Sequence, residues 1–245
     1  MIPQAVLSGK RIVVAGGAGH VGTVLVDALL HAGAAVAVPS RSAARLDALR
    51  EALADAPVER LVAIEGDVAD ATDGERVRAA VLDRLGGLDA VIASMGDLVA
   101  APAVLDASPA DVRRALDGYV VAHHGVARTL LPALRERGGS YTFINGFLAY
   151  GPVFPGAGLV AMAGAAQAML ARVLMQENER TNLRVNEVVL YTSFGRPDDD
   201  ERNRNGVGKQ DVAAFITELV SPAAERIRGQ SIHLKDAVAV RQLAD

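Results

Sequence analysis

Ala15-Gly16-Gly17-Ala18-Gly19-His20-Val21-Gly22 is the stretch on which the reading of this chain turns. The β-branched run Arg11–Ala15 leads into it and a helical pattern leaves it near Val21, so its glycines sit at a strand-to-helix turn. That position has a physical meaning. The positive end of a helix attracts a diphosphate, and backbone amides can approach one only where side chains are missing. Gly16, Gly19 and Gly22, spaced as GxxGxxG, supply a glycine for the turn, one for close approach and one for packing the helix on the strand. Glycines also end strands in unrelated α/β proteins. What points to a nucleotide is their place after a first strand and before a helix.

The same alternation runs through the rest of the chain. Strand patterns fall at Arg11–Ala15, Ala35–Val38, Leu61–Glu65, Asp89–Ser94, Tyr141–Asn145, Arg184–Val189 and Ser231–Leu234. Helical patterns lie near 20–32, 42–54, 72–86, 110–136, 158–181 and 209–219. Seven strands separated by helices predict a single Rossmann-like α/β domain over residues 1–245, with a doubly wound, seven-stranded parallel sheet and helices on both faces. No repeat or interdomain linker interrupts it, and 245 residues suit one such domain. The charged segment Arg196–Asn205 reads as an exposed loop.

Composition narrows the function. At 51% hydrophobic and 22% charged, the chain can build a core. A net charge of −4, with no Lys/Arg-rich run, argues against nucleic acid as a partner. The absence of cysteine removes thiolate nucleophiles and Cys-based zinc sites, and the five histidines form no metal-ligand motif, so no metal is expected. Nothing at the N-terminus reads as a signal peptide, which predicts a cytoplasmic protein. No charged residue occurs between Arg137 and Arg172, but Asn145, Pro152, Pro155 and several glycines divide that stretch into strand, loop and helix. It therefore reads as the interior of a fold and not as a membrane span.

The second strand pattern ends at Val38-Pro39-Ser40-Arg41, where an NAD site would carry a carboxylate for the ribose 2′-hydroxyl. Arg41 suits a 2′-phosphate instead, its plainer reading being an exposed arginine at a helix start, and NADP is expected over NAD. After the third strand, Asp67 and Val68 stand where an adenine would lie, although an Asp there is also a common N-cap. His20 and Val21 open the first helix beside the glycines, and Ser94 and Gly96 follow the fourth strand. With Gly16, Gly19, Gly22, Ser40, Arg41, Asp67 and Val68, they complete the candidate cofactor residues.

These residues, with Ala93-Ser94-Met95-Gly96, Leu131-Pro132, Arg184-Val185-Asn186 and Gly229-Gln230-Ser231-Ile232 in order along the chain, resemble the short-chain dehydrogenase/reductase family over nearly its whole length. The resemblance implies a nicotinamide cofactor, a small-molecule substrate and a homo-oligomer. It also implies a Tyr-x-x-x-Lys pair, a Ser and an Asn, which together protonate a carbonyl oxygen as hydride arrives. Those positions fall on Val160, Gly164, Gly146 or Phe147, and Tyr119. The departure does not depend on alignment. Four residues after Tyr119, Tyr141, Tyr150 and Tyr191 stand His123, Asn145, Phe154 and Gly195, and the only lysines are Lys10, Lys209 and Lys235. Strand six also ends Val189-Leu190-Tyr191-Thr192 where the family has Pro-Gly.

The expectation is therefore an NADP(H)-binding relative with a degenerate active site and at most an atypical redox activity. The alternatives are a non-catalytic nucleotide sensor and a non-redox enzyme, such as a cyclase or isomerase, that reuses the pocket. Replacement donors are few. Tyr119 and His123 share a helical face at i, i+4, Tyr150 follows the fifth strand, and Asp97 follows the fourth. Each has a plainer reading as packing or a solvated loop acid. The Ala-, Gly- and Met-rich helix Gly156–Glu177, with Met169, Leu170, Leu174 and Met175 at helical spacing, is the expected oligomer face.

Overall fold

The computed structural model describes residues 6–96, 102–192, 194, 207–236 and 239. Seven strands form one sheet: β1 Arg11–Ala15, β2 Ala35–Ser40, β3 Leu61–Glu65, β4 Ala90–Ala93, β5 Ser140–Gly146, β6 Arg184–Leu190 and β7 Ser231–Leu234. Their order is β3-β2-β1-β4-β5-β6-β7, with every neighbouring pair parallel. The expected fold class is the observed one. The order reverses direction between β1 and β4, and that switch point is where doubly wound sheets open a crevice for ligands.

Each face of the sheet carries its own core. Val14, Val36, Val38, Ile92 and Val188 pack with α1 His20–His31, α2 Ala43–Ala52 and α7 Lys209–Leu219. Val13, Ala37, Val91, Tyr141 and Phe143 pack with α3 Asp73–Leu85, α5 Ala122–Arg135 and α6 Gly158–Glu177. Central strands covered on both faces need apolar residues at successive positions, which is why β1 and β4 read as unbroken hydrophobic runs. Arg11 ties the foot of β1 to β4, with Nε and Nη2 on the Asp89 carboxylate at 2.7 and 2.8 Å.

Two helices differ from their expected spans. The stretch 110–136 is not one helix: α4 Pro109–Leu116 passes through a π-helical segment, Asp117–Val121, before α5 begins. A π-turn inserts a residue and re-aims the side chains on it, here Tyr119. The last long helix stops at Glu177 because Asn178 caps it, with its Nδ2 donating to the Leu174 carbonyl at 2.7 Å. By length and composition α6 could cross a bilayer. In the structure it lies on the sheet, and Gln167 Nε2 donates to the Ile144 carbonyl at 2.8 Å. Arg196–Asn205 lies outside the described residues.

Candidate functional site

The β1–α1 turn is shaped by the lack of side chains. Gly16 has φ +81°, and a Cβ there would sit 2.1 Å from the Ser94 carbonyl oxygen, since Ser94 N–H bonds Ala15 O at 2.8 Å and draws β4 against the turn. A Cβ on Gly22 would meet Gly16 O at 2.2 Å. Those two glycines are demanded by the turn's own packing. Gly19 does something else: it is the N-cap of α1, exposed, and gives the helix no side-chain cap. No acid occupies the first turn, and exposed His20 and half-buried Val21 begin it. An uncapped helix start with bare backbone fits a diphosphate.

At the end of β2 the turn is held by Ser40, whose Oγ accepts from Ser42 N–H at 3.3 Å. Arg41 is 80% exposed, with Nη1 3.8 Å from Asp67 Oδ2. That distance and exposure leave the guanidinium free to turn toward another anion. The other Asp67 oxygen accepts from Ala69 N–H at 2.9 Å, so Asp67 braces its own loop while facing Arg41. The Val68 side chain belongs to the core beside Ile64 and Val77.

Beyond β4, Tyr119 and His123 both reach the loop after the strand, at different residues. Gly96 has φ +116° and lies under the Tyr119 ring, where a Cβ would come within 2.7 Å of Cε1. His123 is fully buried, stacks on Phe143 at 5.4 Å, and donates Nε2–H to the Met95 carbonyl at 3.3 Å. Its Nδ1 is buried without a partner. Burial pushes its pKa down to about 4, so near pH 7 the ring is neutral and closed off from solvent. Tyr119 is half-buried and belongs to the mouth of the crevice; His123 belongs to the core. Asp97 lies outside the described residues.

The positions to which the resemblance assigns the reactive pair are filled by hydrocarbon and amide. Val160 packs with Phe147, Leu148, Ala157 and Ala161. A Cβ on Gly164 would stand 3.3 Å from both Ala149 Cβ and Asn145 Oδ1, and the Gly164 carbonyl accepts from Asn145 Nδ2 at 3.1 Å.

Tyr150 is turned away from the β1–β4 crevice. Its hydroxyl donates to Glu187 Oε2 at 2.5 Å and lies 3.3 Å from Ser231 Oγ. Burial and the Glu187 hydrogen bond push the phenol up to about 12. Glu187 is fully buried in mid-β6, where Asn145 Nδ2 donates to Oε1 at 2.8 Å and the Ser231 hydroxyl donates to Oε2. Glu187 shares a register row with Ala15, Ala93, Phe143 and Ser231. It is three strands from β1, roughly 14 Å at the usual strand spacing. Beside it Tyr191 Oη meets His233 Nδ1 at 3.0 Å, and Lys235 Nζ stands 5.9 Å from the Tyr191 ring centroid. None of Glu187, Ser231, His233 and Lys235 was a candidate on sequence grounds. The available signal was a lone acid in the apolar run Arg184–Leu190 of a buried strand.

Comparison with known proteins agrees with this geometry. The family model described as Enoyl-(Acyl carrier protein) reductase matches residues 16–192. The chain belongs to the short-chain dehydrogenase/reductase family. That family binds nicotinamide dinucleotides, and the glycine turn of this member lies inside the matched span. Over 191 residues the chain is 28% identical to cis-1,2-dihydrobenzene-1,2-diol dehydrogenase of Pseudomonas putida, covering 74% of this chain and 66% of the relative. Over 179 residues it is 28% identical to L-fucose dehydrogenase of Mus musculus, covering 73% and 63%. The chain thus spans just under two thirds of these relatives. In fold it is similar to a short chain dehydrogenase from Mycobacterium smegmatis, with TM-score 0.81, 23% identity and 97% and 96% of the two chains covered. A 7α-hydroxysteroid dehydrogenase complexed with NADH and 7-oxo glycochenodeoxycholic acid superposes at TM-score 0.79, with 21% identity and 95% and 96% covered.

Proposed function

We propose that this member binds NADP(H) at the β1–α1 turn and has lost the family's phenol–ammonium pair, leaving at most an atypical oxidoreductase. The observation that carries the cofactor reading is the end of β2, where no carboxylate guards the ribose and Arg41 stands 80% exposed beside the turn. Gly16, Gly19, His20, Val21 and Gly22 would hold the diphosphate, Ser40 and Arg41 the 2′-phosphate, Asp67 and Val68 the adenine, and Ser94 and Gly96 the inner ribose. A bound nicotinamide supplies hydride or accepts it.

This chain's own residues then bind and orient more than they move protons. General acid assistance is worth roughly 10²–10⁴-fold, and Val160 and Gly164 offer neither a proton nor a cation at the assigned positions. Tyr119, over Gly96, is a phenol beside the end of β4. The relatives oxidise dihydrodiols and a sugar, which favours a hydroxyl- or carbonyl-bearing small molecule as substrate.

The test uses NADPH emission, which no tryptophan in this chain perturbs. Saturable NADPH binding, weakened about tenfold or more in Arg41→Ala while NADH binding is unchanged, is the expected result. Equal loss for both nucleotides, or no binding of either, would overturn it and favour a non-redox use of the pocket.

The protein is also proposed to be a cytoplasmic homo-oligomer. Along α6 the exposed large apolar residues are Met162, Met169 and Val173, whereas Leu170, Leu174 and Met175 pack against the sheet core. The contact stripe is therefore displaced around the helix from the expected one. Met169→Glu should shift the elution volume of purified protein toward that of a smaller species.

A further inference from the structure

Ser231 and His233 alternate along β7, so their side chains share one face of the sheet, the face that also carries Glu187 on β6; Tyr191 and Lys235 each lie one residue past the end of their strand, and Lys235 N–H bonds the His233 carbonyl at 2.9 Å. A groove of about 410 Å³ runs along this strand, lined by Gln230, Ser231, Ile232, His233, Lys235 and Ala239. That volume lies within the roughly 300–1,000 Å³ of small-ligand sites. The buried acid behind Ser231 is spent: Asn145, Tyr150 and Ser231 fill the carboxylate of Glu187, and it forms no ion pair with Lys235. Among the described residues Lys235 has no carboxylate partner. Arg172 of α6 adds a second positive influence, felt at the Tyr150 hydroxyl.

His233 is oriented from both sides. The Tyr191 hydroxyl engages Nδ1, and the Tyr150 ring meets the imidazole edge-on at 4.7 Å. In the tautomer in which the phenol donates to Nδ1, the neutral ring carries its proton on Nε2, where it serves as a donor. The Tyr191 ring stands 6.0 Å from the imidazole and 5.7 Å from Phe147, so the wall behind the cation is aromatic.

We propose that this groove is a binding site for a small aromatic carboxylate, with Lys235 supplying the charge, His233 a hydrogen bond, and Tyr191 and Tyr150 fixing the imidazole. The site stands whether or not a nucleotide occupies the β1–α1 turn. Its chemistry is that of a cation beside an imidazole held by Tyr191 and Tyr150, which recognises a carboxylate better than a neutral amide.

Benzoate is the probe and benzamide its neutral counterpart, each titrated against the full-length protein. The readout is the His233 ring carbon–proton resonance, assigned by its disappearance in His233→Gln. Benzoate should shift that resonance saturably, and benzamide should not. Lys235→Gln changes an exposed side chain, so the fold is kept, and it should weaken benzoate about tenfold. Tyr191→Phe should weaken it less and broaden the His233 signal as the imidazole loses its anchor. Adding NADPH should leave the benzoate curve unchanged, which separates this site from the proposed nucleotide site. Equal responses to benzoate and benzamide, no response at His233, full affinity in Lys235→Gln, a shift confined to His20, or displacement of benzoate by NADPH would each overturn the proposal.

Discussion

Around β1–β4 the chain leaves backbone bare, whereas around β5–β7 it turns polar side chains inward and covers them with rings. The first region consists of Gly16, Gly19 and Gly22, an uncapped helix start and an arginine with a loose partner. The second holds a carboxylate saturated by three neutral donors and a phenol raised by burial and by that carboxylate. A surface built to receive an anion must keep its donors unpaired until the ligand arrives. A surface built to stay folded gains by satisfying them, because a buried unpaired polar group costs more than a hydrogen bond returns, and the Glu187 network does so although the Ser140, Tyr141 and Thr142 hydroxyls of β5 have no partner among the described residues. The same sheet supports both because the two regions lie at different strands, although the helices that cover them are shared.

Removing the acid is the strongest way to break the contrast. Glu187→Ala leaves Asn145 Nδ2 and two hydroxyls without their acceptor and opens a cavity in mid-strand. It should cost about 3 kcal/mol or more in urea unfolding, with Glu187→Gln costing less. A neutral result for Glu187→Ala would mean that water replaces the carboxylate and that the region is not tightly closed.

The next effect is in pH. His123 is held near 4 when folded and returns to about 6.5 when unfolded, so the unfolded chain binds the proton first. Its contribution is complete above pH 6.5 and is lost as the pH falls toward 4. Between pH 7 and pH 5 this amounts to roughly 2 kcal/mol. His123→Leu should flatten that part of the stability profile, measured as urea midpoints at the two pH values. An unchanged slope in the variant would show that His123 already exchanges protons with solvent.

The smallest change sharpens the contrast at the other end. Gly19→Asp supplies the cap that α1 lacks and should stabilise the protein by up to about 1 kcal/mol, while its carboxylate repels a diphosphate. A gain in melting temperature with a loss of NADPH affinity is the expected pair of outcomes. Stability and affinity moving together would show that Gly19 is needed by the turn itself, as Gly16 and Gly22 are.

Much of the first region was legible beforehand. Gly22 carries its reason locally, against Gly16 and Gly17, whereas Gly16 and Gly96 are held to glycine by Ser94 and Tyr119 from other elements; Arg41 stands where strand and turn patterns put it. The second region was poorly legible. Tyr150 resembled a loop tyrosine near the crevice until its hydroxyl was found on Glu187, 37 positions further along the chain. His123 shared a helical face with Tyr119, but the π-turn between α4 and α5 and the stacking on Phe143 put it in the core. On α6, spacing alone could not tell which of Met169, Leu170, Leu174 and Met175 face outward, because the helix is apolar on most sides.

By itself the sequence determined the alternation of strand and helix, the glycine turn at the first crossover, and the absence of any Tyr-x-x-x-Lys. These are facts of composition and short-range spacing, and periodicity expresses them directly. Only the tertiary structure decided which polar groups meet: Asn145, Tyr150, Glu187 and Ser231 in one network, and Tyr191, His233 and Lys235 in another. The register of β5, β6 and β7 makes those meetings. Register between distant strands is set by the packing of a whole sheet, which no local pattern records.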